Sequence, residues 1–117
     1  KAFIKSKKDA LLTIYKNKNR YDKSNVKIKD KQIYYDKNRN LKDMDYIDYG
    51  ISIINSKVIE DYNFNKKFDL SDLFNKLCLD KKMAYKIIKK RFYEIGSYKG
   101  INDFKKFIIK SSKKNVY

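Results

Sequence analysis

The sequence predicts an α/β fold in which a β-sheet is flanked by helices. Short apolar runs rich in β-branched and aromatic residues occur between segments whose apolar side chains recur every three or four positions. Strands that alternate with helices in this way are typical of an α/β sheet. No repeat and no Pro-rich or Gly-rich linker divides the chain, so residues 1–117 are expected to form one continuous unit.

Three stretches in the first half of the chain have the patterns of β-strands. The run Ala10–Tyr15 is almost continuously apolar, which suits a strand covered on both faces. Residues 26–35 alternate apolar and polar side chains on either side of a polar turn and therefore predict a β-hairpin. The next strand is expected at Tyr46–Ile54, where Gly50 indicates a bulge or the close approach of a ligand or another backbone.

Helices are predicted from capping residues and apolar faces. Ser56 is expected to cap a short helix that carries Val58, Ile59 and Tyr62. A second helix is expected after its N-cap Asp69, with Asp72 three residues on in the manner of a capping box. The apolar face of this second helix comprises Leu70, Leu73, Phe74, Leu77 and Cys78.

The last third of the chain is predicted to contain two short strands and a final helix. The strands are expected at residues 83–88 and 91–93. Ser97 is expected to cap the helix, whose apolar face comprises Ile101, Phe104, Phe107 and Ile108. The resulting sheet has few helices to cover it, and edge strands left open in this way invite association with a partner.

Positive charge is the strongest compositional feature. The chain has 30 Lys and Arg residues against 14 Asp and Glu residues, a formal net charge of +16. Such a balance suits a nucleic-acid or anionic-membrane partner. The lysines occur along the whole chain, however, whereas nucleic-acid readers usually concentrate Arg and Lys on one face. The distribution favours a compositional drift towards Lys, Asn, Ile and Tyr, with non-specific binding expected at low salt.

The cysteine and histidine content excludes several kinds of site. One cysteine cannot form an internal disulfide, and the absence of His excludes a His-ligated zinc site and a His-dependent triad. Cys78 lies in the apolar register of a predicted helix, which indicates a buried thiol rather than a nucleophile. No apolar run approaches the ~20 residues that span a bilayer, so a cytoplasmic protein is the default expectation.

Composition and spacing alone nominate few catalytic residues. Asp48 and Glu94 each lie close to a glycine in or after a predicted strand, where a carboxylate can hold Mg²⁺ against phosphate oxygens. A carboxylate beside a turn more often caps backbone N–H groups or faces water. Lys37 can contact a phosphate, but it is one lysine among many. No Gly-rich phosphate-binding loop occurs in the sequence, so the chain is not expected to carry out nucleotidyl transfer unaided.

Five segments carry a family resemblance through their order and spacing. They are Leu12–Val26, Ile33–Lys37, Met44–Ile53, Phe68–Leu73 and Arg91–Ser97. In this order they resemble the nucleoside-diphosphate-sugar pyrophosphorylases, and most closely the bacterial branch that acts on hexose or heptose 1-phosphates. In that family the last segment reads as an aromatic residue, Asp or Glu, Ile, Gly, and Thr or Ser before a helix. Residues 93–97 fit this pattern.

The resemblance implies a Rossmann-like nucleotidyltransferase fold with a mixed β-sheet flanked by helices, of which residues 1–117 are the C-terminal, sugar-phosphate-binding half. It implies that a sugar 1-phosphate attacks the α-phosphorus of a nucleoside triphosphate with the help of Mg²⁺, which yields an NDP-sugar and pyrophosphate. Glu94 matches the second metal-binding acidic residue of the family, and Lys37 matches the lysine that contacts the sugar phosphate. Asp48 and Gly50 match the strand that lines the sugar pocket.

The sequence departs from the family in several ways. The Gly-rich nucleotide loop and the first metal-binding Asp would lie upstream of Lys1, Asp36 stands where Glu is usual, and no Pro follows Lys37. The parent enzyme is therefore expected to be active and the isolated chain inactive. The base and the sugar remain open, a homo-oligomer is allowed, and neither a membrane nor a specific nucleic acid is expected as a partner.

Two alternatives remain beside the enzyme hypothesis. A small basic module that binds RNA or DNA could use the 11 Tyr and 7 Phe residues as stacking platforms. Against it, most of these aromatic residues fall on predicted core faces. A degenerate nucleotidyltransferase with a purely structural role is the other alternative, and it predicts binding without turnover.

Overall fold

Five strands form one mixed sheet with the order β3-β2-β4-β1-β5 in the computed structural model, which describes residues 1–61 and 67–115. In chain order the elements are α1 (Ala2–Ser6), β1 (Ala10–Lys16), β2 (Val26–Lys29), β3 (Gln32–Tyr35), β4 (Tyr46–Ile54), α2 (Ser56–Glu60), α3 (Leu70–Leu79), β5 (Met83–Ile87) and α4 (Tyr98–Lys114). β1 pairs with β5 in parallel and with β4 antiparallel, and β2 pairs antiparallel with both β3 and β4. The predicted mixed α/β sheet flanked by helices is confirmed.

The predicted strand at Ala10–Tyr15 is β1, which lies inside the sheet. Its residues Leu11, Leu12 and Ile14 are buried, as expected for a strand covered on both faces. The parallel neighbour of β1 is β5, and α2 and α3 lie between these two strands along the chain. A parallel pair requires such a crossover connection, which explains why strands and helices alternate here.

The hairpin β2–β3 has a two-residue loop. Asp30 and Lys31 both adopt positive φ angles, 51° and 61°, as the central residues of a type I′ turn do. Ile28 pairs with Ile33 one position farther from the turn than the pair that closes it. The predicted hairpin is therefore confirmed, and its loop is only two residues long because Lys29 and Gln32 pair within the strands.

The core forms where α3 covers one face of the sheet. Asp69 caps this helix, because its carboxylate accepts a hydrogen bond from the backbone N–H of Ser71 at 2.9 Å. The main cluster consists of Ala10, Leu12, Ile14, Val26, Ile33, Tyr35, Leu73, Phe74, Leu77, Cys78 and Met83. Each large apolar side chain buried here contributes about 1.5–3 kcal/mol to folding. Leu70 is the one predicted face residue that stays exposed.

The last helix, α4, has a different environment. Ser97 caps it as predicted, since the Ser97 hydroxyl accepts a hydrogen bond from Gly100 N–H at 3.0 Å. None of the described residues in this helix is buried. The predicted apolar face, with Ile101 and Phe104 among its members, is thus left largely open.

Two secondary-structure predictions are wrong. Residues 91–93 form no strand; their aromatic and arginine side chains pack on other rings instead of pairing in the sheet. The N-cap of α2 is Asn55, whose side chain accepts the Lys57 N–H, and not Ser56. Tyr62 lies outside the described residues.

Candidate functional site

The register of the sheet brings three of the nominated segments to one end of the strands. The last row pairs Tyr35 with Val26, Val26 with Tyr46, and Tyr46 with Lys16. Lys37 lies two residues beyond this row and Asp48 lies two residues inside it. Glu94 follows β5, which ends at the same side because Ile14 pairs with both Asp48 and Ile87. This is the end at which β1 and β5 both present their carboxyl termini.

The three candidates are nevertheless spread across the sheet. Cross-strand partners point to the same face, so Asp48 lies on the α3 side with its partner Ile14. Tyr49, next in the chain, contacts Phe92 with a ring-centroid distance of 6.3 Å, which puts the segment leading to Glu94 on the other face. Four strand spacings of ~4.8 Å separate β3 from β5, a lateral span of about 19 Å.

Lys37 forms an ion pair with Asp69, the residue that caps α3. The hydrogen bond from Lys37 Nζ raises the pKa of Lys37, and the same bond, together with those from Ser71, lowers the pKa of Asp69 well below its usual range. Both side chains are exposed enough for solvent to reach them. A phosphate that binds Lys37 must therefore share it with a carboxylate already in place.

Asp48 occupies a bulge in β4. Leu12 pairs with Ser52 whereas Ile14 pairs with Asp48, so β4 places three residues opposite the single residue Thr13. The Asp48 carboxylate accepts the Gly50 N–H at 2.8 Å. Burial raises the pKa of Asp48, and the Gly50 hydrogen bond partly offsets that rise. Asp48 is thus a half-buried acceptor that holds the Gly50 N–H.

Gly50 supplies the backbone conformation of this bulge. Its φ angle is +94°, a region that L-residues rarely adopt. No atom among the described residues lies within 4 Å of the position a Cβ would occupy. The predicted bulge is therefore confirmed, and close approach by another described backbone segment is not the reason for this glycine.

The hydroxyl of Tyr35 is influenced by the charges of both Asp48 and Lys37, and no pattern in the sequence indicated this role. Burial raises the pKa of the Tyr35 hydroxyl, and the negative charge of Asp48 raises it further, while Ser71 hydrogen bonding and Lys37 act in the opposite direction. Tyr35 lies on β3 in the core cluster and packs edge-on against Phe74 at 5.6 Å. The alternating hairpin pattern predicted its burial and gave no sign of its polar neighbours.

Glu94 folds back onto the first turn of α4. Its carboxylate accepts hydrogen bonds from the Gly96 N–H and from the Ser97 hydroxyl, the latter at 2.8 Å. A Cβ on Gly100 would come within 1.8 Å of the Glu94 carbonyl oxygen, so only glycine fits at that position in this arrangement. Gly100 was not singled out from the sequence, because a glycine in the first turn of a helix has no distinctive pattern.

Arg91 is the centre of a cluster that the sequence analysis also missed. Its guanidinium lies 3.9 Å from the centroid of the Tyr21 ring and 4.5 Å from that of Tyr93. Its Nη2 atom donates a hydrogen bond to Asp103 at 3.1 Å, while its Nε has no hydrogen-bond partner among the described residues. The one available signal was the identity of the residue, since the chain has few arginines among many lysines.

The carboxylate of Glu94 fits one position in the coordination shell of Mg²⁺. A carboxylate offers about four lone pairs, and Gly96 and Ser97 occupy two of them. Within residues 1–61 and 67–115, no three His, Cys, Asp or Glu side chains converge in a way that could hold a metal ion. Mg²⁺ is commonly held by one or two carboxylates together with waters and substrate phosphates. By itself the Glu94 carboxylate has room to supply one ligand of such a shell, and no more.

Most aromatic side chains lie at least partly at the surface. Among the described aromatic residues only Tyr35 and Phe74 are buried, and Tyr98 is 93% exposed. The expectation that these rings fall mostly on core faces is therefore wrong.

Cys78 is buried as predicted, and its burial raises the pKa of the thiol to about 12. None of the described helices has the length and apolar character needed to cross a membrane.

Comparisons with known proteins supply no family for this chain. No protein-family model matches it, and no curated protein matches it at a significant level. The likeness to the nucleoside-diphosphate-sugar pyrophosphorylases thus remains a prediction from the sequence.

Proposed function

We propose that this chain is the sugar-phosphate-binding half of a sugar-1-phosphate nucleotidyltransferase. The observation that carries the proposal is that Lys37, Asp48 and the Glu94 segment all lie towards one end of the sheet, although they are spread over both of its faces. These residues were nominated by separate motifs, and the end they share is the carboxyl end of the parallel pair β1–β5. Ligands of open α/β sheets bind at the carboxyl ends of strands.

In this proposal each residue has a limited chemical task. Asp48 accepts a hydrogen bond from a sugar hydroxyl while its other oxygen keeps the Gly50 N–H. Lys37 attracts the sugar phosphate, helped by its exposed position and opposed by its pairing with Asp69. Glu94 provides one ligand to Mg²⁺, which when bound neutralises charge on the phosphate oxygens. The residues orient the reactants, and little covalent work falls to the protein.

Two features support the idea that this is half of a larger unit. The apolar face of α4 is open, with Ile101, Phe107 and Ile108 exposed by 39% or more. An exposed apolar face of this kind commonly marks an interface. The described residues also lack a Gly-rich phosphate loop, which nucleotidyl transfer needs in some form. In the proposal, both the cover for α4 and the nucleotide site belong to the other half.

The direct test is Mg²⁺-dependent release of pyrophosphate by the protein expressed from its whole reading frame. A panel of nucleoside triphosphates and sugar 1-phosphates would be combined, because the sequence leaves the base and the sugar open. The Glu94→Gln and Lys37→Met variants and the 117-residue chain would be assayed in parallel. We expect turnover by the parent protein and a rate at least about 100-fold lower in Glu94→Gln. The isolated chain is expected to release no pyrophosphate.

Each of the other outcomes of this assay would refute or change the proposal in a defined way. No pyrophosphate release from a folded parent protein, across the whole panel, would refute the proposal. Binding of a sugar 1-phosphate without turnover would identify the degenerate form that has only a structural role. Full activity in Glu94→Gln would leave the reaction class in place and remove Glu94 from the metal site.

A nucleic-acid-binding module is the second candidate, and the surface aromatic residues favour it. Tyr98 is almost fully exposed and is followed by Lys99, a combination that suits stacking of an unpaired base. With a net charge of +16, binding at low salt is expected under either proposal. Binding to single-stranded oligonucleotides would therefore be measured by fluorescence anisotropy at about 0.5 M salt, where counterion release contributes little. Base-dependent affinity that survives there and is lost in Tyr98→Ala would favour this candidate.

A further inference from the structure

We infer that Arg91 is a positioning residue that holds the carboxylate of Glu94 in place. The meaning of this role for catalysis rests on the proposed function, whereas the positioning itself is a property of the fold. Glu94 contacts the start of α4 through Gly96 and Ser97. None of the described residues 88–115 is fully buried, so partly exposed ring contacts of Phe92, and not a closed apolar core, hold this segment against the sheet.

The contacts of Arg91 connect three parts of the chain. Tyr21 belongs to the loop between β1 and β2, Tyr93 adjoins Glu94, and Asp103 lies on α4. The guanidinium lies against both rings, and the ion pair with Asp103 is partly shielded, with each side chain about one-third exposed at 32% and 31%. One planar cation thus joins the sheet loop, the segment of Glu94 and the helix on which Glu94 is folded.

The two aromatic residues that follow Arg91 pack in different directions from this junction, defined as Arg91 with its partners Tyr21, Tyr93 and Asp103. Phe92 packs edge-on against Tyr15 of β1 at 5.6 Å and against Tyr21 at 5.8 Å. On the other side of Arg91, Tyr93 stacks on Phe107 of α4 with a centroid distance of 4.8 Å. Phe92 therefore packs towards the sheet and Tyr93 towards the helix, and Arg91 contacts both the β1–β2 loop and the helix. A shift of Arg91 would change the angle at which Glu94 leaves this junction.

Geometry makes arginine specific for this task. A guanidinium can stack on a ring through its plane and donate in its own plane to a carboxylate, whereas the ammonium of lysine is a compact point charge. Arg91 does both at once, over Tyr21 and Tyr93 and towards Asp103. A lysine would keep the charge, but it could not stack on both rings and donate to Asp103 at the same time. The inference therefore predicts that Arg91→Lys is not a neutral exchange.

Arg20 provides a matched control. Its guanidinium also lies over the Tyr21 ring, at 5.8 Å, but it belongs to the same loop as that ring. No hydrogen bond or ion pair from its side chain to residues 88–115 occurs in the described structure. Arg20→Lys therefore removes a guanidinium from the same ring without breaking the connection to Glu94.

The experiment is amide hydrogen exchange of the 117-residue chain, followed by NMR. In Arg91→Lys we expect the Gly96 and Gly100 amides to exchange about tenfold faster or more, and amides of β1 to keep their wild-type rates. Arg20→Lys is expected to leave both sets unchanged. Asp103→Asn, which removes the ion pair and keeps the ring contacts, is expected to accelerate the same two glycine amides by a smaller factor.

Three results would overturn the inference. They are unchanged Gly96 and Gly100 exchange in Arg91→Lys, equal acceleration throughout β1, and an Arg20→Lys effect as large as that of Arg91→Lys. If Arg91→Lys fails to fold, unchanged exchange of the two glycines in Asp103→Asn refutes the inference instead.

A Mn²⁺ titration separates this inference from the proposed function. Paramagnetic broadening at Gly96 in the wild-type chain, weaker in Arg91→Lys, supports both the metal role of Glu94 and its positioning by Arg91. Absence of broadening in the wild type counts against the metal role of Glu94, and the exchange rates then decide the positioning inference by themselves.

Discussion

Two regions of this molecule are each stabilised by a different kind of contact. In the sheet body, defined as β1–β5 with α3, apolar side chains such as Leu12 and Ile14 are fully buried. In the C-terminal segment, defined as residues 88–115, no described residue is buried. There the contacts are ring–ring packing, a cation between rings, an ion pair and polar hydrogen bonds. The body determines the fold, while the segment carries Glu94 on contacts that are individually weak.

The difference suggests where change is tolerated. Contacts in the body depend on area and shape, so any change of volume there is costly. Contacts in the C-terminal segment depend on geometry and charge, and surface contacts of that kind contribute little to global stability. Substitutions in the segment should therefore alter the site without unfolding the protein. Variants in each region can test this division, beginning with the largest expected effect.

Removing a core side chain should give the largest loss of stability. Leu12 is 0% exposed in β1, whereas Leu79, at the end of α3, is 65% exposed. We expect Leu12→Ala to lower the free energy of unfolding by about 3 kcal/mol, from lost burial and the cavity left behind. Leu79→Ala should change it by less than about 0.5 kcal/mol. Urea denaturation measures both, and a similar loss in the two variants would contradict the described core.

Hydrogen exchange of the unmodified chain should separate the two regions directly. Protection reflects the free energy of local opening, which is low where few apolar contacts hold an element. We expect the amides in the middle of α4 to exchange at least about 100-fold faster than those of β1. Equal protection in α4 and β1 would mean that the helix unfolds only with the sheet, and would remove the distinction between body and segment.

The same division accounts for what the sequence could predict. Apolar patterns predicted β1, the hairpin, β4 and the face of α3, because burial in the body makes apolar side chains follow one another, alternate or recur. Residues 91–93 have the aromatic composition of a strand, yet their rings pack on Tyr15 and Phe107 instead. Local composition cannot distinguish a strand from a segment held by ring contacts that are distant in sequence.

The candidate site was predictable to a similar extent. Gly50 marked the bulge, because a glycine in the middle of a strand weakens pairing and is favoured where the backbone leaves the regular strand conformation. Lys37 and Asp69 are 32 positions apart in the sequence, and Arg91 and Asp103 are 12 positions apart. Such pairings depend on the tertiary structure, and in a chain with lysines throughout no local signal selects the right partner.

Two glycines, one in each region, offer a matched test. Gly50 has a φ angle of +94° and open space around its Cβ position, so Gly50→Ala should cost about 1–2 kcal/mol through backbone strain alone. Gly100 lies in α4, where alanine normally favours a helix by about 1 kcal/mol, but its Cβ would overlap the Glu94 carbonyl oxygen at 1.8 Å. Gly100→Ala should therefore displace the Glu94 segment with little loss of global stability.

Urea denaturation and the amide spectra of the two glycine variants separate these effects. Gly50→Ala should lower the midpoint and leave the Gly96 resonance in place. Gly100→Ala should move the Gly96 resonance and leave the midpoint within error. A large drop in the midpoint for Gly100→Ala would show that the C-terminal segment is part of the cooperative body.

The smallest expected effect concerns the buried charge of Asp48. Its pKa is raised by burial, so the folded state binds this proton more tightly than the unfolded state does, and the ionised carboxylate opposes folding at neutral pH. Asp48→Asn keeps an oxygen for the Gly50 N–H and removes the charge, so it should raise the unfolding free energy at pH 7 by up to about 1 kcal/mol. Because a raised folded-state pKa gives stability that is complete below the unfolded value, near the reference 3.8, the advantage of the variant should disappear as the pH falls towards that value.

Urea titrations of wild type and variant between about pH 3.5 and pH 7 measure the difference, with Asp80→Asn as an exposed control. An advantage that stays constant over this range would mean that the charge of Asp48 is already satisfied in the folded protein. Its place near the core would then reflect packing, and the sugar-binding role proposed for it would lose its electrostatic basis.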